Sequence, residues 1–323
     1  MKAIVRHAYG SPDVLRLEDV ETPVVEDDGV LVRVRAASLN ALDWHFMRGA
    51  PLLARMGEGL RRPKTRGLGV DVSGEVAAVG KDVIELRPGD AVFGRAFGAF
   101  AEFARGKART FVPKPVNSSF EQAAAIPVAG CTAMQGLRDR GQLKPGQRVL
   151  INGAGGGVGT FAVQIAKALG GHVTAVTSTQ HLDLVRAIGA DQVIDYTRED
   201  FTRSGQRFDL ILDVGANRSL AACRRVLAPE GALVVIGAAG SGRSIVPIAM
   251  RILGAMLWSR LGRRRMSMFM ANITREDLFA LKELIEAGKV TPVIDRTYPL
   301  SETAAAMRYL EAGHARGKVV ITV

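Results

Sequence analysis

The chain has 323 residues, of which 47% are apolar and 23% are charged, and its formal net charge is +11. This length predicts two domains rather than one, and the apolar content excludes wholesale disorder. Two cysteines exclude a disulfide framework. The longest apolar stretch, 245–261, is broken by a proline and two arginines, which excludes a convincing membrane span. No signal-peptide core is found at the start of the sequence, so we expect a cytoplasmic protein.

The first third of the chain has the pattern of short strands. Its apolar runs lie between turn residues, at 3–5, 30–34, 74–79 and 91–93. Runs of this kind predict a mostly antiparallel, barrel-like β domain. From about residue 120 the pattern changes to helix, with 121–125 capped by Ser118 or Ser119. We therefore predict a first domain over 1–120 and a second over 121–274.

The most informative stretch is 148–160, where an apolar strand runs into a glycine-packed turn and a helix begins at Val158. A strand, a glycine-rich turn and a helix in this order expose backbone N–H groups and a positive helix end to a pyrophosphate. The sequence therefore predicts a dinucleotide-binding loop. Its cofactor-contacting residues are expected to be Gly153, Gly155, Gly156, Gly157 and Val158.

Beyond this loop, apolar strands alternate with helices. Strands are predicted at 173–176, 193–196, 210–213 and 233–237, and helices near 182–188 and 220–227. Repeated strand–helix units build a doubly wound parallel sheet, because parallel neighbours need crossover helices. The run 266–270 could add an edge strand. A helix over 277–287 and the elements of 290–323 are expected to return to the first domain, so that 275–323 completes it.

The residues after the second strand of such a sheet distinguish NADPH from NADH. An acidic side chain there would bind the ribose hydroxyl of NADH and repel the 2′-phosphate of NADPH. This chain has Thr-Ser-Thr-Gln-His at 177–181 instead, and the hydroxyl groups and possible cation suit a phosphate. We therefore predict NADPH as the cofactor.

Basic residues cluster at 61–66 and again at 260–265. The charge is compatible with attachment to nucleic acid or an anionic membrane, and also with a solvated surface that attracts an anionic cofactor. Since no aromatic–basic interleaving is present, we predict no nucleic-acid partner. The apolar segment 245–265 could form core, a subunit contact or a cover over the substrate cleft, which we favour over contact with a membrane surface.

Motifs along nearly the whole chain resemble those of the medium-chain dehydrogenase/reductase superfamily. They are Tyr-Gly-Ser-Pro at 9–12, Ala-Ser-Leu-Asn at 37–40, Leu-Lys-Pro-Gly at 143–146, Asn-Gly-Ala-Gly-Gly-Gly-Val-Gly at 152–159 and Gly-Lys-Val-Val at 317–320. More narrowly, they resemble the zinc-free quinone oxidoreductase branch, which includes the reticulon-4-interacting-protein-like reductases. The resemblance implies an α/β protein with a GroES-like catalytic domain, completed by the C-terminal segment, and a Rossmann domain between.

The resemblance also bears on zinc. Zinc-dependent members have cysteines where this chain has Asn40 and Val128, and Gly-His-Glu where it has Gly-Val-Asp at 69–71. Amide and alkyl side chains do not bind Zn²⁺ well. We therefore predict no metal ion.

The same comparison of positions suggests the catalytic segment. Asn40 takes the vacated zinc-ligand position and is expected to contact the cofactor and to hydrogen-bond the electron acceptor as a positioning group. Asp43, Trp44 and His45 follow it. His45 or solvent could protonate the product, whereas Asp43 could simply fix the loop and Trp44 could simply pack.

Further cofactor contacts follow from the resemblance. The matching positions are Thr132, His181, Tyr196 and Lys318. Among them, His181 stands where the family has a cation beside the 2′-phosphate. Ser178 and Thr179 could compensate for the weaker clamp of a histidine, and Gly237 and Ala238 end the fifth strand, where the backbone usually meets the nicotinamide. Tyr196 could instead pack at a strand end, and Lys318 could be a solvated charge near the C-terminus.

These expectations combine into one predicted function. Without a Lewis acid, hydride addition to a conjugated acceptor is easier than reduction of an ordinary carbonyl, because the negative charge delocalises. We expect an NADPH-dependent reductase of quinones or α,β-unsaturated carbonyl compounds, active as a homodimer. The alternatives are a non-catalytic nucleotide-binding adaptor and an alcohol-dehydrogenase-type carbonyl reductase.

Overall fold

The computed structural model describes residues 1–50, 52–55, 57–236 and 265–323. The chain divides into two compact units. Unit 1 comprises Met1–Cys131, Ile273–Gly288 and Pro292–Val323, and unit 2 comprises Thr132–Asn272 and Lys289–Thr291. The division therefore lies later than the boundary predicted at 120.

The described strands and helices follow one another through both units. The strands are β1 (Lys2–Arg6), β2 (Leu15–Asp19), β3 (Gly29–Ser38), β4 (Asp71–Val79), β5 (Ala91–Arg95), β6 (Phe103–Lys107), β7 (Phe111–Pro113), β8 (Arg148–Asn152), β9 (His172–Thr177), β10 (Gln192–Asp195), β11 (Phe208–Asp213), β12 (Leu227–Ile236), β13 (Arg265–Phe269), β14 (Ile294–Pro299) and β15 (Lys318–Thr322). The helices are α1 (Ala41–Arg48), α2 (Phe120–Ala124), α3 (Pro127–Met134), α4 (Gly157–Ala168), α5 (Leu182–Ala187), α6 (Leu220–Arg225), α7 (Arg275–Glu286) and α8 (Thr303–Glu311).

Unit 1 is built on a mostly antiparallel sheet, as the sequence predicted. Its strand order is β14-β15-β3-β4-β5-β7, with β6 also paired to β3, and only β14 and β15 run parallel. Alternate valines of β3, at 30, 32 and 34, are buried with Val72 of β4 and Val92 of β5 in one apolar core. Side chains two residues apart share a face of a strand, so this spacing places the valines in the same core.

Helix α2 explains why the division of the chain lies beyond 120. It packs on β3 and β4, so the residues that follow it belong to unit 1. Of the two predicted caps, Ser119 is the one used. Its hydroxyl accepts the backbone N–H of Gln122 at 3.2 Å, and this satisfies one of the free donors of the helix start.

Unit 2 contains a six-stranded parallel sheet among its described residues. Its order is β10-β9-β8-β11-β12-β13, and every pairing in it is parallel. Renumbered from β8, this is the 3-2-1-4-5-6 order of the dinucleotide-binding fold. The predicted doubly wound sheet is confirmed, and the run 266–270 supplies its edge strand, β13.

Several predictions concern residues that the structure leaves undescribed. Gly237, Ala238 and the segment 245–265, apart from Arg265, lie outside the described residues. Within the part of the chain that is described, no helix is long and apolar enough to cross a membrane.

Candidate cofactor and active sites

The glycine loop lies between the end of β8 at Asn152 and the start of α4 at Gly157. Gly153 has φ +89°, a conformation that side chains disfavour. A Cβ atom on Gly159 would lie 2.1 Å from the carbonyl oxygen of Gly153, whereas one on Gly156 would meet nothing closer than that oxygen at 3.7 Å. The turn is therefore closed on its inner side and open at Gly156, which suits a pyrophosphate at the start of a helix.

A polar network joins the carboxyl ends of β8 and β11. The amide nitrogen of Asn152 donates to Asp213 Oδ1 at 2.7 Å and to Asn217 Oδ1 at 2.9 Å. The Asp213 carboxylate also accepts the backbone N–H of Ala216 at 2.8 Å. The strand order reverses between these two strands, and sheets of this kind bind ligands in the crevice at that point. The network therefore lies beside the expected cofactor position, and Asp213 and Asn217 are site residues that were not predicted from the sequence.

His181 is turned into the protein. Its side chain is buried, and a Cβ atom on Gly155 would lie 2.2 Å from His181 Nδ1 and 2.7 Å from Thr177 Oγ1. The short turn Thr179–His181 after β9 brings the ring back against the glycine loop. His181 therefore packs under the loop and does not offer an exposed cation, in contrast to the role that its position suggested.

Asp195 organises the neighbouring loops at the ends of β9 and β10. Its carboxylate accepts the Thr179 hydroxyl, and it accepts the Thr197 hydroxyl at 2.7 Å and the Thr197 backbone N–H at 3.0 Å. The hydrogen bond from Thr179 is the main cause of a lowered pKa for Asp195, so this group is an anion at neutral pH. Tyr196, which follows it, is 41% exposed; this exposure argues against simple packing at the strand end.

Unit 1 contains a buried ionic cluster formed by Asn40, Asp71 and Lys318. Lys318 Nζ donates to Asn40 Oδ1 at 2.6 Å and to the carbonyl oxygen of Leu39 at 2.9 Å, and it lies 3.6 Å from Asp71 Oδ2. All three side chains of the cluster are buried. Burial raises the pKa of Asp71 and lowers that of Lys318, and their mutual attraction opposes both shifts. The alternative that Lys318 is a solvated charge is therefore wrong.

The cluster fixes the orientation of the Asn40 amide. An ammonium group can only donate and a carboxylate can only accept, so Oδ1 must face Lys318 and Nδ2 must face Asp71. Nδ2 donates to Asp71 Oδ2 at 2.9 Å and faces the carbonyl oxygen of Ser38 at 3.4 Å. In this arrangement Asn40 keeps no amide proton for an acceptor oxygen, but its own oxygen can accept one more hydrogen bond.

Asp43 lies beneath this cluster, in the first turn of α1. Its Oδ2 accepts the Asn40 backbone N–H at 2.8 Å, and its buried Oδ1 has no partner among the described residues. Burial raises the pKa of Asp43 to about 7, with a further contribution from the charge of Asp71. Asp43 is therefore a buried group that fixes the start of α1, the alternative that the sequence left open.

Trp44 and His45, the next two residues of α1, differ in whether a ring nitrogen is left without a hydrogen bond. Trp44 is half-buried against the core, and its indole N–H donates to Glu311 of α8, so it packs and positions the helix. The Nδ1 proton of His45 donates to the carbonyl oxygen of Ala50 at 2.7 Å. The other ring nitrogen of His45 therefore stays available for a proton transfer.

The structure divides the predicted site residues between the two units. Unit 1 holds Asn40, Asp43, Trp44, His45 and Lys318, and unit 2 holds the glycine loop, Thr132, Ser178, Thr179, His181 and Tyr196. From the sequence, Asp71 is identified only as the last residue of the Gly-Val-Asp that stands where zinc-dependent members have Gly-His-Glu. Its position between Val70 and Val72, a carboxylate in an apolar run, was the signal that could have identified it.

No metal centre is formed within the described ranges. No three His, Cys, Asp or Glu side chains come together there in a group that could hold a metal ion.

Comparison with known proteins identifies the family. Residues 26–116 match the alcohol dehydrogenase GroES-like domain, and residues 188–321 match the zinc-binding dehydrogenase family. The chain is 37% identical to the NAD(P)H oxidoreductase RTN4IP1, mitochondrial, of Mus musculus, over 100% of this chain and 89% of the relative. It is 33% identical to the NADPH-dependent alkenal/one oxidoreductase, chloroplastic, of Arabidopsis thaliana, over 99% and 79% of the two chains.

A solved structure agrees with these relatives. The quinone oxidoreductase from Coxiella burnetii matches with a TM-score of 0.86 and 33% identity, over 100% of this chain and 99% of that chain. The GroES-like and Rossmann folds implied by the sequence motifs are thus confirmed. The chain belongs to the quinone oxidoreductase branch of the medium-chain dehydrogenase/reductase superfamily.

Proposed function

We propose that the protein is a zinc-independent oxidoreductase that transfers a hydride from NADPH to quinones or α,β-unsaturated carbonyl compounds. Similarity to an alkenal/one oxidoreductase and to a quinone oxidoreductase supports the substrate class. The observation that carries the zinc-independent chemistry is the buried Lys318 ammonium bonded to Asn40 and close to Asp71.

The residues at this position do not fit a zinc ion, although one of the matching families is described as zinc-binding. Zn²⁺ takes Cys, His or carboxylate ligands, almost always four in structural sites and three with an open position in catalytic ones. Here the ammonium of Lys318 donates a hydrogen bond to the oxygen of Asn40 and faces Asp71 Oδ2, so a cation already lies beside both oxygens. Val70 offers no side-chain ligand, and Val128 donates its backbone N–H to Asp71 Oδ1 at 3.0 Å.

Chemistry without a Lewis acid favours conjugated acceptors. When bound, NADPH supplies the hydride, and the negative charge that arrives with it spreads over an enolate or a hydroquinone. The protein binds and orients the reactants. The glycine loop and the start of α4 hold the pyrophosphate, and Asn40 offers a fixed oxygen as a hydrogen-bond acceptor. Solvent supplies the proton, either directly or by way of the other ring nitrogen of His45, which takes up a proton before it gives one.

We also propose that the protein is a homodimer. Strand β13 is the last strand of its sheet among the described residues, and Met270, which follows it, is 82% exposed. Unpaired edge strands favour pairing with another chain, so a second copy is a suitable partner for this edge. A cytoplasmic location stays a prediction; both cysteines are buried, and neither forms a disulfide.

Steady-state oxidation of NADPH with a panel of quinones and enones tests the function. We expect turnover with conjugated acceptors. Fluorescence titration should show that NADPH binds more tightly than NADH, and metal analysis of the purified protein should find no stoichiometric zinc. A nucleotide-binding adaptor would bind NADPH and consume none. An alcohol-dehydrogenase-type enzyme would reduce simple carbonyl compounds and lose activity with a chelator.

A further inference from the structure

The 2′-phosphate of NADPH needs a cation that the glycine loop does not supply. The 2′-phosphate is expected near the carboxyl ends of β9 and β10, beside the adenosine ribose. At those ends His181 is buried, and the hydroxyl protons of Thr179 and Thr197 are directed at Asp195. Asp195 itself is an anion and would repel a phosphate. A positive group must therefore offset it if the protein is to prefer NADPH.

Arg198 is suited to this task. It stands two residues after Tyr196 in the loop that follows β10, and its backbone N–H donates to the carbonyl oxygen of Asp195 at 3.0 Å. The guanidinium lies 3.7 Å from Asp195 Oδ2, and the side chain is 77% exposed. A single exposed ion pair at this distance stabilises little, so the guanidinium can turn to another anion at small cost.

We propose that Arg198 binds the 2′-phosphate of NADPH and thereby sets the preference of this protein for NADPH over NADH. The proposal rests on the NADPH-dependent function proposed above. Arginine presents a planar fork of N–H donors that matches two phosphate oxygens at once. The guanidinium lies beside the end of β10, 3.7 Å from Asp195 Oδ2, and this weak ion pair leaves it able to turn to a phosphate.

The chain offers a matched control in Arg186. It also forms an ion pair with an aspartate three residues away, Arg186 Nη1 to Asp183 Oδ1 at 3.1 Å, and its side chain is 58% exposed. It lies in the last turn of α5. A crossover helix runs away from the carboxyl edge of the sheet, so Arg186 is not expected to reach the ribose.

The experiment measures dissociation constants for NADPH and NADH by fluorescence titration of the wild type, Arg198→Gln and Arg186→Gln. Competition by 2′,5′-ADP and by 5′-AMP isolates the contribution of the 2′-phosphate. Arg198→Gln loses one charge-assisted phosphate contact, so its dissociation constants for NADPH and 2′,5′-ADP are expected to rise about tenfold or more. Binding of NADH and 5′-AMP should stay within about twofold, and Arg186→Gln should bind all four as the wild type does.

Two results would overturn the assignment. An unchanged ratio of the two cofactor affinities in Arg198→Gln would remove the phosphate contact and overturn this assignment alone. Equal weakening of both cofactors is one form of this result and would mean that Arg198 only supports the loop. If the contact exists, Arg198→Lys, which keeps the charge, should retain part of the preference. A wild type with no preference for NADPH would overturn both this assignment and the proposed cofactor.

Discussion

The Asp43→Asn substitution should change how the stability of unit 1 depends on pH. Asp43 is fully buried, and its carboxylate accepts the Asn40 backbone N–H at 2.8 Å. Burial raises its pKa from 3.8 to about 7. The folded protein therefore holds a proton on Asp43 at pH values where the unfolded chain has lost it.

This difference has a definite sign and size. The stabilisation from the protonated carboxyl group is fully present below the unfolded pKa of 3.8 and is lost as the pH rises through the folded value of about 7. At 1.36 kcal/mol per pKa unit, the loss amounts to about 4 kcal/mol. Asparagine at position 43 cannot ionise, but its amide oxygen can still accept the Asn40 N–H. The variant should therefore lack this part of the pH dependence.

Urea unfolding between about pH 4 and pH 8 measures the effect. A Trp258→Phe background leaves Trp44, which stands beside Asp43 on α1, as the only tryptophan and thus as the reporter of unit 1. Relative to the wild type, Asp43→Asn should gain up to about 4 kcal/mol as the pH rises across this range. Asp82→Asn, at an exposed position, should stay parallel to the wild type. Parallel curves for Asp43→Asn and the wild type would mean that Asp43 is ionised in the folded protein throughout this range, contrary to its raised pKa.

Further predictions concern the glycine loop and the ionic cluster. In fluorescence titrations, Gly156→Ala should weaken NADPH binding about tenfold with little change in melting temperature, because its Cβ atom has room in the protein but takes space from the phosphate. Gly159→Ala should lower the melting temperature, because its Cβ atom would lie 2.1 Å from the Gly153 carbonyl oxygen. Lys318→Met should lower the free energy of unfolding by about 3–5 kcal/mol, since it leaves the buried carboxylate of Asp71 without its cation. Adding Asp71→Asn should recover part of this loss in urea unfolding. No recovery would argue against the ion pair.

The fold and the glycine loop could be predicted because their signals are local. Alternating valines in β3, strand–helix repeats after the loop and the glycine spacing at 153–159 each describe a structure that forms within a few neighbouring residues. The strand order of unit 2 follows from these repeats, since parallel neighbours need crossover helices.

The chemistry of the buried cluster could not be predicted in the same way. Lys318 begins an apolar run near the C-terminus, where a lysine is ordinarily exposed. It is buried because its partners, Asn40 and Asp71, come from segments far away in the chain. The orientation of His181 has a similar origin. Its ring lies close to Gly155, so the residue type at the family's cation position did not reveal that the side chain is buried.

In the proposed function, a reduced nicotinamide and a metal-free, lysine-containing cluster suffice for reduction of a conjugated acceptor. The most direct measurement is the rate of NADPH oxidation with a quinone and an enone by chelator-treated protein whose metal content is determined on the same sample. We expect full turnover with no bound zinc and no gain when zinc is restored. Turnover that appears only with stoichiometric zinc, or none with any conjugated acceptor, would contradict the claim.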